Sequence, residues 1–243
     1  MSPRRRRAHR PLVCLSTKLD EWNGCKYASE GTMTPPAPPA FTASATLKPL
    51  GFDPAKLNGL SERLIRSHWE NNYGGSVKAL AVVKKQLAEA LENKDTPPYV
   101  YNDLKREHLM RTGSVVLHEL YFDNLGGDGK PDAAVRSALS NAFGAYDSWE
   151  TEFRRIGLGL GGGSGWVVLG YNVHTAQIEN YWLWDHLHGP PATMPLLVMD
   201  MYEHSYQMDF GAATAKYVDA FFQNIRWDAV MARLEQARRL AKG

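Results

Sequence analysis

From Leu60 to Gly127 the chain carries long, charged, amphipathic runs of helical period, and after Gly165 it switches to β-branched and aromatic runs. That order confines it to helices first and a sheet later. The run "LSERLIRSHW" places apolar residues on one face from Leu60 to Trp69, with Ser61 able to cap and Glu62 in the first turn. Beyond Gly74-Gly75, "SVKALAVVKKQLAEALEN" continues helically, as one long broken helix or as two helices in a hairpin. Pro97-Pro98 should stop it, and a third stretch, "YNDLKREHLMRTGSVVLHELYFDNL", should end at Gly126-Gly127. After a further helix near 132–155, "GWVVLGYN" and "AQIENYWLW" flank a turn around Asn172 to Thr175 and read as an antiparallel hairpin. The stretch "AATAKYVDAFFQNIRWDAVMARLEQARR" reads as terminal helices. The predicted class is α+β: an N-terminal long α-hairpin domain over 48–128, then a mixed α/β domain with a small antiparallel sheet over 129–243.

Residues 1–47 differ in kind. An Arg run, "RRRRAHR", is followed by "MTPPAPPAFTASAT", whose prolines and small residues oppose helix and offer little to bury, so disorder is expected there. Met33 offers an alternative start of translation that would leave 1–32 outside the natural chain. "PLVCLS" is too short for the apolar core of an export signal, and no run approaches a membrane span, so a cytoplasmic protein with no membrane contact is expected. Seven of the 28 Lys and Arg but only three of the 26 acids lie in residues 1–32. The remaining body is therefore nearly neutral, with no field to draw it to nucleic acid. Both cysteines, Cys14 and Cys25, lie in the same segment, so any metal held by the body needs nitrogen and oxygen donors.

"GLGLGGGSG" at 157–165 follows a helix and opens a strand, the reverse of a phosphate-binding loop, and reads as a turn. Of the eight histidines, His9, His108, His174 and His188 read as surface or satisfied residues. His68 and His118 sit inside apolar helical faces, among Leu64, Ile65 and Trp69 and among Val115, Leu117 and Tyr121. Each fits either a satisfied core histidine or a metal ligand. In "MDMYEHSYQMDF", Asp200 and His204 are four apart, which a helical or near-helical turn places on one side. An ordinary amphipathic helix would explain the same spacing. Three imidazoles and one carboxylate, if they meet, suit iron or manganese rather than calcium or magnesium.

The order of "LIRSHWENNY", "VLHELYFDNL" and "DMYEHSYQMDF", with "GSGWVVL" and "YVDAFFQNIRWDAV" between and after them, resembles the iron/manganese superoxide dismutase family over roughly residues 48–235. The resemblance implies that His68, His118, Asp200 and His204 ligate one Fe or Mn ion per subunit. It implies superoxide as substrate, disproportionated to oxygen and hydrogen peroxide, in a homodimer or a tetramer. It makes His186, in "WDHLHG", the outer-sphere donor to metal-bound solvent, with Ser114 too short for that task from the earlier helix. Glu203 would bridge to His204 of a second subunit, and Trp166 and Tyr202 would wall the pocket.

The sequence departs from the family at the entrance. Asn72 stands for its gateway His, Ser76 for its active-site Tyr, Gln207 for its second Tyr and Thr214 for its Arg, with Lys216 a substitute for anion steering. Asn72, Tyr73 and Gln207 can hydrogen-bond there but do not form a comparable proton relay. Two alternatives to a dismutase stay open: a non-catalytic metal-binding or structural dimer of the same fold, and a different redox activity at the same metal.

Overall fold

The computed structural model describes residues 38–42 and 45–241. The Arg run, Cys14, Cys25, Met33 and most of the segment expected to be disordered lie outside them. Ser61 caps the first helix as expected, its hydroxyl accepting from Leu64 N. Helix α1 (Glu62–Ser67) runs through a π-helical turn (His68–Tyr73) straight into α2 (Gly74–Glu92). Gly74 keeps right-handed helical torsions, so the two glycines do not break the rod.

Pro97-Pro98 act differently from the expectation. Helix α2 has already ended at Glu92, and Pro98 occupies the first turn of α3 (Pro98–Asp123). The ring's fixed φ suits a helix start, where its missing N–H would have had no partner anyway. Helices α2 and α3 lie against each other as a hairpin, α2 burying Leu80, Val83 and Leu87. The C-terminal half of α3 buries Ser114, Val115, Leu117, His118, Tyr121 and Phe122.

The single helix expected near 132–155 is two, α4 (Ala133–Phe143) and α5 (Tyr146–Leu160). Gly144 separates them with φ of 82°, a left-handed torsion open to glycine without strain. Gly157 and Gly159 of the glycine run belong to α5, and the rest forms the turn into β1 (Trp166–Asn172). Strand β1 pairs antiparallel with β2 (Gln177–Leu183), as the hairpin predicted. A third strand not foreseen in the sequence, β3 (Thr193–Asp200), pairs on the other edge, giving the order β2-β1-β3.

Strand β1 is buried along six of its seven residues, because it is central and has helix α5 on it; β2, at an edge, buries only Ile178 and Leu183. The register sets Trp166 opposite Leu183 on one side and Asp200 on the other. After β3 come a 3₁₀ turn (Glu203–Ser205), α6 (Gln207–Phe210), α7 (Thr214–Phe222) and α8 (Trp227–Leu240). The helical or near-helical turn expected to bring Asp200 and His204 to one side is a strand end followed by a 3₁₀ turn.

The fold is α+β, a helical hairpin followed by a mixed region with a three-stranded antiparallel sheet. Its core is aromatic: Trp149, Phe153, Trp166, Tyr121, Tyr217 and Phe221 are fully buried. Arg233 on α8 ties the parts together, donating to Asn124 Oδ1 at 2.6 Å, to the Leu196 carbonyl and to Asp123. Asn124 in turn donates to Val198 O at 3.0 Å, fastening the end of α3 to β3. Among the described residues no helix is long and apolar enough to cross a membrane.

Candidate metal centre

His68 enters the core from the π-helical turn, where one extra residue per turn redirects the side chains, a distortion frequent at functional sites. His118 lies on the buried stripe of α3, one turn after Ser114 and just before Tyr121. Asp200 is the last residue of β3, and His204 lies in the 3₁₀ turn after it. Each offers one donor atom, and the four donors all lie within 4.8 Å of one another.

Asp200 is the hub. Its Oδ2 stands 3.1 Å from His68 Nε2, 3.2 Å from His204 Nε2 and 3.6 Å from His118 Nε2. Its Oδ1 accepts the Tyr202 backbone N–H at 2.8 Å, which turns the chain between Asp200 and His204 and keeps both on one side. The main-chain carbonyl of Asp200 accepts Tyr217 Oη–H at 2.6 Å and the Ser205 hydroxyl at 2.9 Å. Tyr217 and Ser205 carried no sign of this role in the sequence. A buried carbonyl reached from an element seventeen residues later is invisible to local pattern.

Two of the imidazoles, His68 and His118, are held neutral. Burial lowers the pKa of His118 to about 3, with the neighbouring His68 adding to the effect and Asp200 opposing it. Burial also lowers that of His68, against the hydrogen bond and charge of Asp200. For Asp200 burial pushes the carboxyl up, but the charge and hydrogen bond of His204 and those of His68 outweigh it, and the group stays ionised. His118 Nδ1 donates to Ser114 O at 2.7 Å, so its Nε2 presents a lone pair to the centre.

His68 Nε2 and His118 Nε2 are buried and make no well-formed hydrogen bond, an arrangement that is costly unless something else binds them. Three imidazoles and one carboxylate, two of the rings with orphaned nitrogens, fit a first-row metal ion. The cluster is capable of binding one.

Aromatic rings close around it. Phe122 and Tyr121 lie 5.0 and 5.1 Å from His68, Trp166 stands edge-on to His118 at 5.1 Å, and Tyr202 stacks on His204 at 5.4 Å. His186 stacks on Tyr202 at 4.8 Å and its Nδ1 accepts the Trp166 indole N–H at 3.0 Å. That bond leaves the proton of the neutral ring on Nε2. Burial lowers the His186 pKa, which keeps the ring neutral.

The other residues singled out in the sequence disperse. Asn72, Gln207 and the exposed Glu203 line an open cup of about 370 Å³ together with Ser67, Met208 and the partly exposed edge of His204. Tyr73 does not join them. Its hydroxyl accepts from Lys48 N at 3.0 Å and donates to Glu119 Oε1 at 3.0 Å, bordering a separate cavity of about 340 Å³. Ser76 and Ser114 are buried and bonded to each other at 2.7 Å, Ser114 Oγ lying 3.3 Å from His118 Nδ1. Lys216 is exposed on the first turn of α7.

The sequence is similar to those of known proteins. Residues 131–233 match the profile described as iron/manganese superoxide dismutases, C-terminal domain. The chain is 50% identical over 193 residues to an iron superoxide dismutase of Cupriavidus metallidurans, covering 79% of this chain and 98% of that one. It is 34% identical to an iron superoxide dismutase of Aquifex aeolicus over 76% of this chain and 88% of the relative. A manganese superoxide dismutase of Haloferax volcanii is 30% identical over 80% and 97%.

Proposed function

The chain belongs to the iron/manganese superoxide dismutase family, and on that premise we propose that it converts superoxide to oxygen and hydrogen peroxide with one Fe or Mn per subunit. The observation that carries the proposal is the meeting of four donors from separate elements, with His68 Nε2 and His118 Nε2 buried against the Asp200 carboxylate without a well-formed hydrogen bond. His68, His118, Asp200 and His204 would hold the ion. When bound, the metal supplies the one-electron chemistry in both directions.

The chain's own residues do the rest. Asp200 balances charge and orients two imidazoles, and Ser114 O fixes the His118 ring nitrogen that faces inward. His186 carries a proton on Nε2 beside the centre, available to a solvent or substrate oxygen, and Trp166 fixes that tautomer. The aromatic shell of Tyr121, Phe122, Trp166 and Tyr202 keeps bulk water away from the donors and narrows access to small species.

The proposal includes a homodimer, with a tetramer as its larger form. Glu203 is exposed beside the uncovered edge of His204, as a bridge to His204 of the partner subunit requires. A second reading, a metal-binding dimer or another redox activity at this centre, is favoured by one observation. Asn72 and Gln207 offer only amides at the cup, and the Tyr73 hydroxyl is engaged by Lys48 and Glu119.

The test is to load the purified chain with Fe or with Mn and measure metal per chain and superoxide decay by stopped flow. The dismutase reading expects about one ion per subunit and decay far above the buffer rate. One ion per subunit with decay at the buffer rate selects the second reading. No bound metal removes both.

A further inference from the structure

His186 rides on a loop that is rigid in itself. Asp185 Oδ1 accepts Leu187 N at 2.6 Å and bonds His188 Nδ1 at 2.8 Å, its Oδ2 accepts the Trp184 indole N–H at 3.1 Å, and Trp184 O accepts the Ser164 hydroxyl at 3.0 Å. A push on the loop backbone would therefore move it as a unit. The ring side of His186 is held by Trp166 and Tyr202.

The backbone side is held by helix α3 at Gly113. A Cβ added there would fall inside van der Waals contact with the His186 carbonyl oxygen, 3.0 Å from its carbonyl carbon and 3.5 Å from its Cβ. Two of those three atoms are main chain, so no rotamer change relieves the clash. Glycine inside a helix is destabilising relative to alanine, and this one lies well inside α3. Gly75, on α2, is a contrast: a Cβ there meets nothing within 4 Å.

We infer that Gly113 is a positioning residue, its missing side chain letting the main chain of His186 seat on α3 and so fixing the His186 ring against Trp166 and Tyr202 at the edge of the metal centre. The inference rests on the reading that His186 serves that centre, but its structural half can be tested alone. The loop is gripped from two sides, and removing one grip shifts the ring by the depth of one methyl group. A misplacement of about 1 Å at a reacting centre can cost roughly 100-fold in rate.

The test compares Gly113→Ala with Gly75→Ala as crystal structures of the metal-loaded full chain, together with thermal midpoint, metal content and superoxide turnover. Gly75→Ala should leave the centre unchanged and raise the midpoint. Gly113→Ala should bind metal as before, carry the Trp166 Nε1 to His186 Nδ1 separation from 3.0 Å beyond hydrogen-bond reach, and lose roughly tenfold or more in turnover. An unmoved His186 ring in Gly113→Ala overturns the inference. A displaced ring with unchanged turnover sustains it and instead removes His186 from the reaction, which His186→Ala would confirm separately. Should Gly113→Ala not fold, Gly113→Ala/His186→Gly should fold, because a loop freed of the ring's bond to Trp166 and its stack on Tyr202 can lift its main chain away from α3; failure of the double variant would show that the ring's hold is not what the added methyl group works against, and would overturn the inference as well.

Discussion

Tyr217 donates its hydroxyl to the main-chain carbonyl of Asp200 at 2.6 Å, so the residue whose carboxylate faces three imidazoles is braced from behind by α7. Both partners are fully buried. Tyr217→Phe removes the donor but not the ring, and Ser205 still reaches the same carbonyl. We expect a loss of about 1 kcal/mol, the lower end for an interrupted buried hydrogen bond, read as a shift in urea midpoint with unchanged m-value. No shift would mean that the Ser205 hydroxyl alone satisfies the carbonyl.

Asp200→Asn keeps shape and the bond from Tyr202 N, since an amide oxygen can still accept there. It removes the negative charge around which the imidazoles gather. Changing a partner outside the ligands of a metal site typically costs about 10- to 100-fold in affinity, so loss of a ligand's charge should exceed that. Metal content after dialysis against a chelator measures it, and an Asn variant as fully loaded as the parent would remove Asp200 from the ligand set.

The metal-free protein should weaken in acid. An unfolded imidazole titrates near pH 6.5, whereas burial and the neighbouring His68 depress His118 to about 3, and burial depresses His68 as well. Between those values the unfolded chain binds protons that the folded chain refuses. Stability is thus full above about pH 6.5 and falls as pH drops through this window, by at most about 1.4 kcal/mol per pH unit for each imidazole. Asp200, lowered too, adds a loss of the same sign further into acid. Urea midpoints of the metal-free chain at pH 7.5, 6 and 5 should decline in that order; a flat series would contradict the burial of neutral imidazoles.

Ser76 and Ser114 form a buried hydroxyl pair at 2.7 Å. Removing one by alanine leaves the other less well satisfied, a cost of about 1–3 kcal/mol, while removing both removes the demand as well. A double-mutant cycle by urea unfolding should therefore show the double variant less destabilised than the sum of the singles. Strict additivity would mean that the two hydroxyls do not act as a pair.

Much of the fold was legible because its helices are long and amphipathic. Leu64 and Ile65, then Leu80, Val83 and Leu87, mark the buried face across the π-helical turn. Strand β3 was not legible. Its run "TMPLLVMD" contains Pro195, which weakens a strand reading, and a short apolar run has no period that separates strand from buried helix. Pro195 is tolerated because it sits opposite Gly170, beside the register shift of β1. The same gap hid that Asp200 ends a strand, while the helical or near-helical turn expected between it and His204 is a 3₁₀ turn.

At the site, the convergence of the four donors was readable through the family resemblance, and their relations to the residues around them were not. His68 and His118 stand inside apolar helical faces where a polar ring asks for a partner, and both are buried with Asp200, while His204 stays partly exposed. Tyr73 shows the limit, adjacent in sequence to Asn72 yet turned toward Lys48 and Glu119.

The amino-acid sequence by itself determined which segments become helix or hairpin, and that any metal held by the folded body would meet nitrogen and oxygen donors, because those properties are written in neighbouring residues and composition. Only tertiary structure decided that four distant donors meet, which nitrogen of each ring faces the centre, and how Gly113 and Trp166 fix His186. Those are relations between elements far apart along the chain, and they come into being only when burial forces every polar atom to find a partner in space.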